Sequence, residues 1–324
     1  MRALIALAGV TALAGCVAAY PIDRPPDYRA ENNLSTCGVD LPQDWKDLLS
    51  RTTTEVGSHE KVTVVAADAD GGTTLVKTTR NRTTELVLRD HGKRQQVVAM
   101  QNDGQVFGVE FDGRWVTFST TPNPANLATT TYAWDSRNDG APAEIGGYGA
   151  VVHNGKAAWS DRAGVHFYDL AKKKDRIVGQ GETPVFFGDA VIWQQGGKFR
   201  GEGALPEQLA NATPGPSVAS DGRTVVWTQG DKLRGWRDGW PEPRDLAGIK
   251  LTPASEGILF PRVSGDFVSW VSGSSHVTDI RSGATLRTTD SAYWLEVHGG
   301  VLTQQGWRVA ATAPLSELSP LRRC

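Results

Sequence analysis

The sequence predicts an all-β fold: a single β-propeller, a ring of four-stranded blades. Three observations lead to it. A turn-plus-strand word recurs six times, the recurrences fall 34 to 43 residues apart, and the composition favours short strands over helices. The words are FDGRWVTF (111–118), VHNGKAAW (152–159), FFGDAVIW (186–193), SDGRTVVW (220–227), VSGDFVSW (263–270) and VHGGVLTQ (297–304). Each places Asp-Gly, Asn-Gly, Gly-Asp or Gly-Gly before a β run, dipeptides that tolerate the positive φ angles of a two-residue hairpin turn. Five of the six close on an aromatic residue, which is expected to pack between neighbouring sheets. Further strands follow several words, as in GVHFYDL and DRIVG (164–179) or HVTDI and ATLRTT around Ser282-Gly283. Four strands in about 38 residues is blade length. A solenoid would need a shorter, stricter period, and a sandwich would not repeat the word.

Taken in chain order, residues 1–15 read as a removable leader. One basic residue, Arg2, precedes an uncharged stretch from Ala3 to Gly15, short for a membrane span and suited to a secretory signal. The stretch ends in LAGC, Leu13 to Cys16, which resembles the lipobox of bacterial lipoproteins. That resemblance implies cleavage before Cys16, lipid on Cys16, and a membrane-anchored exported domain; the alternative is an ordinary signal peptide. Removing Arg2 with the leader takes the formal charge from −2 to −3. Residues 16–40 are polar and Pro-rich and read as a tether. Residues 41–57 form a lead-in in which Leu41, Trp45, Leu48 and Leu49 share one helical face. The propeller is assigned to 58–324. Residues 59–100 fit one degenerate unit, so the six words predict seven blades, against six if that unit is not counted.

Cys37 and Cys324 are the other two cysteines. In an exported chain an even pair reads as a disulfide, and radial closure would bring the two ends together to make it. Chain entropy alone would assign such a bond about 5–6 kcal/mol; two separate thiols are the alternative.

The words DGRTVVW and SGDFVSW, followed by FYDL-like strands, resemble the WD40-like repeats of TolB-type propellers. The resemblance spans about residues 100–310 and implies the fold, a periplasmic or exterior address and a bias toward protein binding. The lipobox departs from TolB, as does the lack of room for a separate N-terminal α/β domain.

Chemistry is less visible. The only like-charge run is Lys172–Lys174, which speaks against a nucleic-acid partner. The histidines show no metal-ligand spacing; His153 and His298 share a repeat position and read as turn-flanking residues, with a metal pair as the sharper alternative. Asp112, Asp189, Asp221 and Asp266 recur at the turns and are expected to bond turn N–H groups. No cofactor, metal or catalytic set is predicted. Trp134, Trp236, Trp240 and Arg237 fall in segments that interrupt the repeat, and are the candidate binding-loop residues. The expectation is therefore a monomeric, lipid-anchored binding or scaffold module of the cell envelope, with a protein or glycan partner. A propeller hydrolase or lyase is the alternative.

Overall fold

The computed structural model describes residues 34–55, 60–122, 128–138, 140–250, 257–286, 293–306 and 309–323. They form a seven-bladed β-propeller. Blade 1 is β3 (Glu60–Ala67), β4 (Thr73–Arg80), β5 (Thr83–Asp90) and β6 (Lys93–Met100). Blade 2 is β7 (Gln105–Phe111), β8 (Trp115–Thr121), β9 (Thr130–Asp135) and β10 (Ala143–Glu144). Blade 3 is β11 (Tyr148–His153), β12 (Lys156–Ser160), β13 (Val165–Asp169) and β14 (Lys174–Gly179). Blade 4 has three strands, β15 (Glu182–Phe187), β16 (Ala190–Gln195) and β17 (Lys198–Gly201). Blade 5 is β18 (Val218–Ser220), β19 (Thr224–Gln229), β20 (Lys232–Arg237) and β21 (Arg244–Gly248). Blade 6 is β22 (Leu259–Ser264), β23 (Phe267–Ser272), β24 (Ser274–Asp279) and β25 (Ala284–Leu286); blade 7 is β26 (Tyr293–His298), β27 (Val301–Gly306) and β28 (Val309–Pro314). The first strands of successive blades touch all the way round, β26 meeting β3 to close the ring.

Each word is the hairpin between a blade's first and second strands. Its Gly takes the left-handed backbone the turn demands, as at Gly113 (φ +91°) and Gly222 (φ +87°). The closing aromatic packs against the preceding blade. Trp227, fully buried, meets Phe199 edge-on at 5.6 Å; Trp193 lies in one cluster with Ala158 and Phe167. Trp159 and Trp270 are buried too, each stacked on the histidine opposite it on the third strand, His166 and His276.

Polar bonds lock every junction. Gly155 N–H donates to Asp112 Oδ2 across blades 2 and 3 (2.7 Å), and Gly265 N–H to Asp221 Oδ2 across blades 5 and 6 (3.0 Å). Lys77 Nζ donates to Val106 O (blades 1 and 2), Asn154 Nδ2 to Asp189 Oδ1 (blades 3 and 4), and Gln194 Nε2 to Gly215 O in the lead-in to blade 5. Val297 N–H donates to Ser269 Oγ (blades 6 and 7), and Gly300 N–H to Asp68 O (blades 7 and 1).

Two features depart from the four-strand expectation. In blade 4 the outermost strand is replaced by residues 202–217, whose short helix α2 (Glu207–Ala210) sets Leu209 into the core between blades 4 and 5. The N-terminal segment forms an outer strap. Leu34 bridges Ile249 beside blade 5, β1 (Gly38–Val39) adds a parallel fifth strand to blade 6, and β2 (Thr54–Glu55) pairs with β28 as the fourth strand of blade 7. The part of the expected tether from residue 34 to 40 thus pairs with the domain, because β21 and β25 offer it unpaired edges. Between β1 and β2, α1 (Gln43–Arg51) buries Trp45 and Leu49 against Leu318 and Leu321 of the C-terminal tail. Trp45 Nε1 donates to Ser319 O at 3.1 Å, and Leu321 N–H to Asp279 Oδ2 at 2.9 Å. No helix among the described residues is long and apolar enough to cross a membrane.

Candidate functional site at the channel mouth

Strand alternation puts all first-to-second and third-to-fourth turns on one face, the turn face. Blade-to-blade connections lie on the other, the connection face, where each first strand begins at the mouth of the central channel. In blades 2, 3, 4 and 6 that first strand opens with the same β-bulge, at 107/110, 148/151, 182/185 and 259/262. The bulged residue is left-handed each time: Gly108, Gly149, Thr183 (φ +49°) and Phe260 (φ +50°). Glycine takes that backbone freely, whereas a β-branched Thr and a Phe are strained in it. Bulges of this kind re-aim side chains beside functional sites. Here they set two large rings at the surface, Tyr148 (52% exposed) and Phe260 (46% exposed), on blades 3 and 6. Tyr148 leans on Phe107 of blade 2, with ring centroids 5.7 Å apart.

A charged layer lies behind the bulges. The residue just before each word is Glu110, Val151, Val185, Ala219, Arg262 or Glu296. In blades 3 to 5 the valines and alanine join the inter-blade core. In blades 2, 6 and 7 the same position is ionic. Arg262 Nη1 lies 3.5 Å from Glu110 Oε1, an ion pair that spans the channel because blades 2 and 6 are not neighbours. Glu296 Oε2 accepts from His298 Nε2 at 2.9 Å. Burial pushes the Glu296 carboxyl up, but His298, Arg262 and Trp294 outweigh it and hold it at about 2. Burial lowers the Lys77 ammonium, with Glu296 opposing. A carboxylate buried as deeply as Glu296 costs more than the valine or alanine that blades 3 to 5 place there, so its charge points to use rather than packing.

The residues expected to bind from the insertions do other work. Trp134 is 3% exposed, donates Nε1 to Gly140 O and packs with Phe118. Trp236, equally buried, donates Nε1 to Trp240 O, and Trp240 is half-buried under the Arg244 guanidinium. Arg237 bridges Asp266 of the next blade at 2.6 Å and donates to Thr224 Oγ1. These three tryptophans and Arg237 hold hairpins and junctions, because a large ring on a strand is drawn into the wedge between blades. A cavity of about 410 Å³ lies between α2 and Pro241–Pro243 on the outer rim. His153 of blade 3 stacks on Phe186 of blade 4, while His298 serves Glu296 in blade 7, so the two do not form a pair. Asp112 and Asp221 bond their own turn N–H groups as expected, Asp221 Oδ1 accepting from Arg223 and Thr224. Cys16 and Cys324 lie outside the described residues. Cys37 O accepts from Thr285 N–H, which puts Cys37 on the same rim as the C-terminal tail. Sequence reasoning missed the mouth, although an aromatic-Gly pair stands four residues before two of the words, at Phe107-Gly108 and Tyr148-Gly149.

No protein-family profile and no curated protein match the sequence. Solved propellers do. PorZ, described as an essential bacterial surface component of the type-IX secretion system of Porphyromonas gingivalis, aligns at 9% identity and a TM-score of 0.51, over 84% of this chain and 39% of that one. The propeller domain of the trilobed protease from Pyrococcus furiosus aligns at 11% identity and 0.47, over 78% and 95%. TolB from Acinetobacter baumannii aligns at 10% and 0.33, over 80% and 65%. At 9% identity the likeness to PorZ is one of fold.

Proposed function

We propose that this chain is an exported, lipid-anchored propeller that binds a partner at the cell envelope through its connection face. The observation that carries the reading is the channel mouth, where Tyr148 and Phe260 are held exposed on a ring locked at every junction. Rigid presentation of aromatic rings lowers the entropic cost of association. The address rests on the Leu13–Cys16 lipobox: Cys16 takes the lipid, and the strap enters the domain at the rim of blade 5. A Cys37–Cys324 disulfide would fasten the strap to the tail, which the packing of Leu318 and Leu321 on Trp45 already brings together.

The reading is tested in cells. A photo-crosslinking residue at position 148 or 260 captures a partner, while the same residue at Ile177, exposed on outer strand β14, captures none. Equal capture at all three sites, or at none, refutes it. Cys16→Ser moves the protein from membrane to soluble fractions, and unchanged partition refutes the anchor. Non-reducing peptide mapping finds the Cys37–Cys324 peptide. An enzyme reading would draw on Glu296, His298 and Lys77, with the Glu296 carboxyl, held ionised by His298 and Arg262, as proton acceptor.

A further inference from the structure

We infer that the cavity on the outer rim between blades 4 and 5 is a second binding site, one that takes a short peptide with free termini. The peptide carboxylate pairs with Arg234 and the peptide ammonium with Glu207. This site is separate from the channel mouth and does not depend on the function proposed for it.

The cavity exists because blade 4 departs from the repeat. After β17 the chain does not return as a fourth strand; residues 202–217 cross the rim instead, and α2 faces the loop that follows β20. Its volume of about 410 Å³ is that of a sphere about 9 Å across, a span that two or three extended residues fill at about 3.5 Å each. The walls are fixed before a ligand arrives, which lowers the entropic cost of binding. Gln208 Nε2 donates to Pro241 O at 3.2 Å, Gln229 Nε2 to Thr213 Oγ1 at 2.7 Å, and Arg234 Nη1 to Gln229 Oε1 at 3.1 Å. Arg234 Nε also lies 2.9 Å from Asp245 Oδ1, so the guanidinium is held in one orientation.

The lining selects the ligand. Arg234 is 31% exposed, and its Nη2 reaches Pro243 O only at 3.5 Å, so the fork still offers N–H groups to a carboxylate. Glu207 lines the same cavity, exposed and without an ion pair among the described residues, and Glu242 stands between the two prolines. A simple anion would meet the repulsion of these carboxylates. An apolar ligand would desolvate Arg234 and return nothing. A neutral sugar would leave both charges unmatched, whereas a zwitterion matches both. The exposed amide of Asn211 adds a donor and an acceptor, the pair that a peptide bond presents. Ala212, Pro241 and Pro243 supply an apolar wall for a small side chain.

Calorimetric titration of the purified protein with trialanine tests this, and a Kd of about 0.1–1 mM is expected. Blocking either end, as N-acetyl-trialanine or trialanine amide, weakens binding by about tenfold or more, because each removes one charge-assisted contact. Glu207→Gln weakens trialanine by a similar factor and leaves N-acetyl-trialanine unchanged. Arg234→Lys weakens trialanine and leaves trialanine amide unchanged. Glu207 is exposed, so its variant keeps the parent's thermal midpoint and tests the site even where Arg234→Lys unfolds. Tyr148→Ala, at the channel mouth, leaves the titration as it was. The inference is overturned if trialanine fails to bind at about 10 mM, if free and blocked peptides bind equally, or if Glu207→Gln has no effect. Binding of cellotriose or inorganic phosphate in place of trialanine overturns it as well.

Discussion

Replacing Asp221 by alanine removes one carboxylate that receives three backbone N–H groups. Two belong to its own turn, Arg223 at 3.0 Å and Thr224 at 2.7 Å; the third, Gly265 at 3.0 Å, belongs to the next blade. A net hydrogen bond is worth about 1 kcal/mol, and more where the group left behind is buried, so Asp221→Ala costs about 3 kcal/mol. For a chain of this size that is a fall of about 5 °C in thermal midpoint. Asp221→Asn separates the two roles. Its amide oxygen still serves the turn, while its NH2 opposes the Gly265 N–H, so only the junction bond is lost, at about 1 kcal/mol. Asp112 makes the same three bonds, to Arg114, Trp115 and Gly155, and its two substitutions follow the same order. Scanning calorimetry and urea titration of the variants, with exposed Asp238→Ala as control, measure the series. The reasoning is refuted if Asp221→Ala melts within about 1 °C of the parent, or if Asn and Ala cost the same.

Other predictions concern the core and its titration. Trp227 Nε1 is buried without a hydrogen-bond partner among the described residues, whereas Trp193 Nε1 donates to Gln180 O at 2.8 Å. Trp227→Phe therefore costs less than Trp193→Phe by about 1 kcal/mol in paired urea titrations, and equal costs would contradict this. Trp45→Ala strips the anchor between strap and tail and costs about 3–5 kcal/mol, read as a drop in urea midpoint. His276 is buried on Trp270, and burial lowers it from 6.5 to about 4, so the folded state stays neutral where the unfolded chain takes a proton. Its contribution is complete above about pH 6.5 and is lost as pH falls toward 4, by about 3 kcal/mol. Glu296, depressed from 4.5 to about 2, contributes above 4.5 and loses that contribution as pH falls through 2. His276→Phe is expected to flatten the stability profile between pH 6.5 and 4 only; an unchanged slope there would be contrary.

The parts of the fold that were legible are those where backbone chemistry admits few residues. Hairpin turns with positive φ call for Gly, Asn or Asp, so six of seven blades were visible as Asp-Gly and its kin. The Trp that closes a word was placed between blades for the same reason: a large apolar ring at a fixed strand position has nowhere else to go. Blade 1 was fainter because its turn, Asp68 to Gly72, is longer and its long strands carry no aromatic closing residue. Blade 4's missing strand left no trace, since the proline-rich segment 202–217 has the polarity of an ordinary connection. The candidate site was least visible. Thr183 and Phe260 sit in a backbone that their side chains argue against, and local preference cannot forecast a residue that violates it. Glu110, Arg262 and Glu296 stand just outside the repeated word, at a position that is Val or Ala in blades 3 to 5 and so carries no repeat signal. The variable position beside it carries the charge.

The outer strap gives the ring a mechanical direction. A pull on the chain at Leu34 acts first on the bridge to Ile249 and the bonds of Ser35 and Thr36 to Gly248, next on the two residue pairs of β1, and then on the Trp45 anchor. Only after these does it reach β2, the strand that completes blade 7. These attachments follow one another along the chain, so a pull from the N-terminal side meets them in that order. The rim of blades 5 to 7 thus stands between the N-terminal side of the chain and the channel mouth, which is built from first strands at the axis.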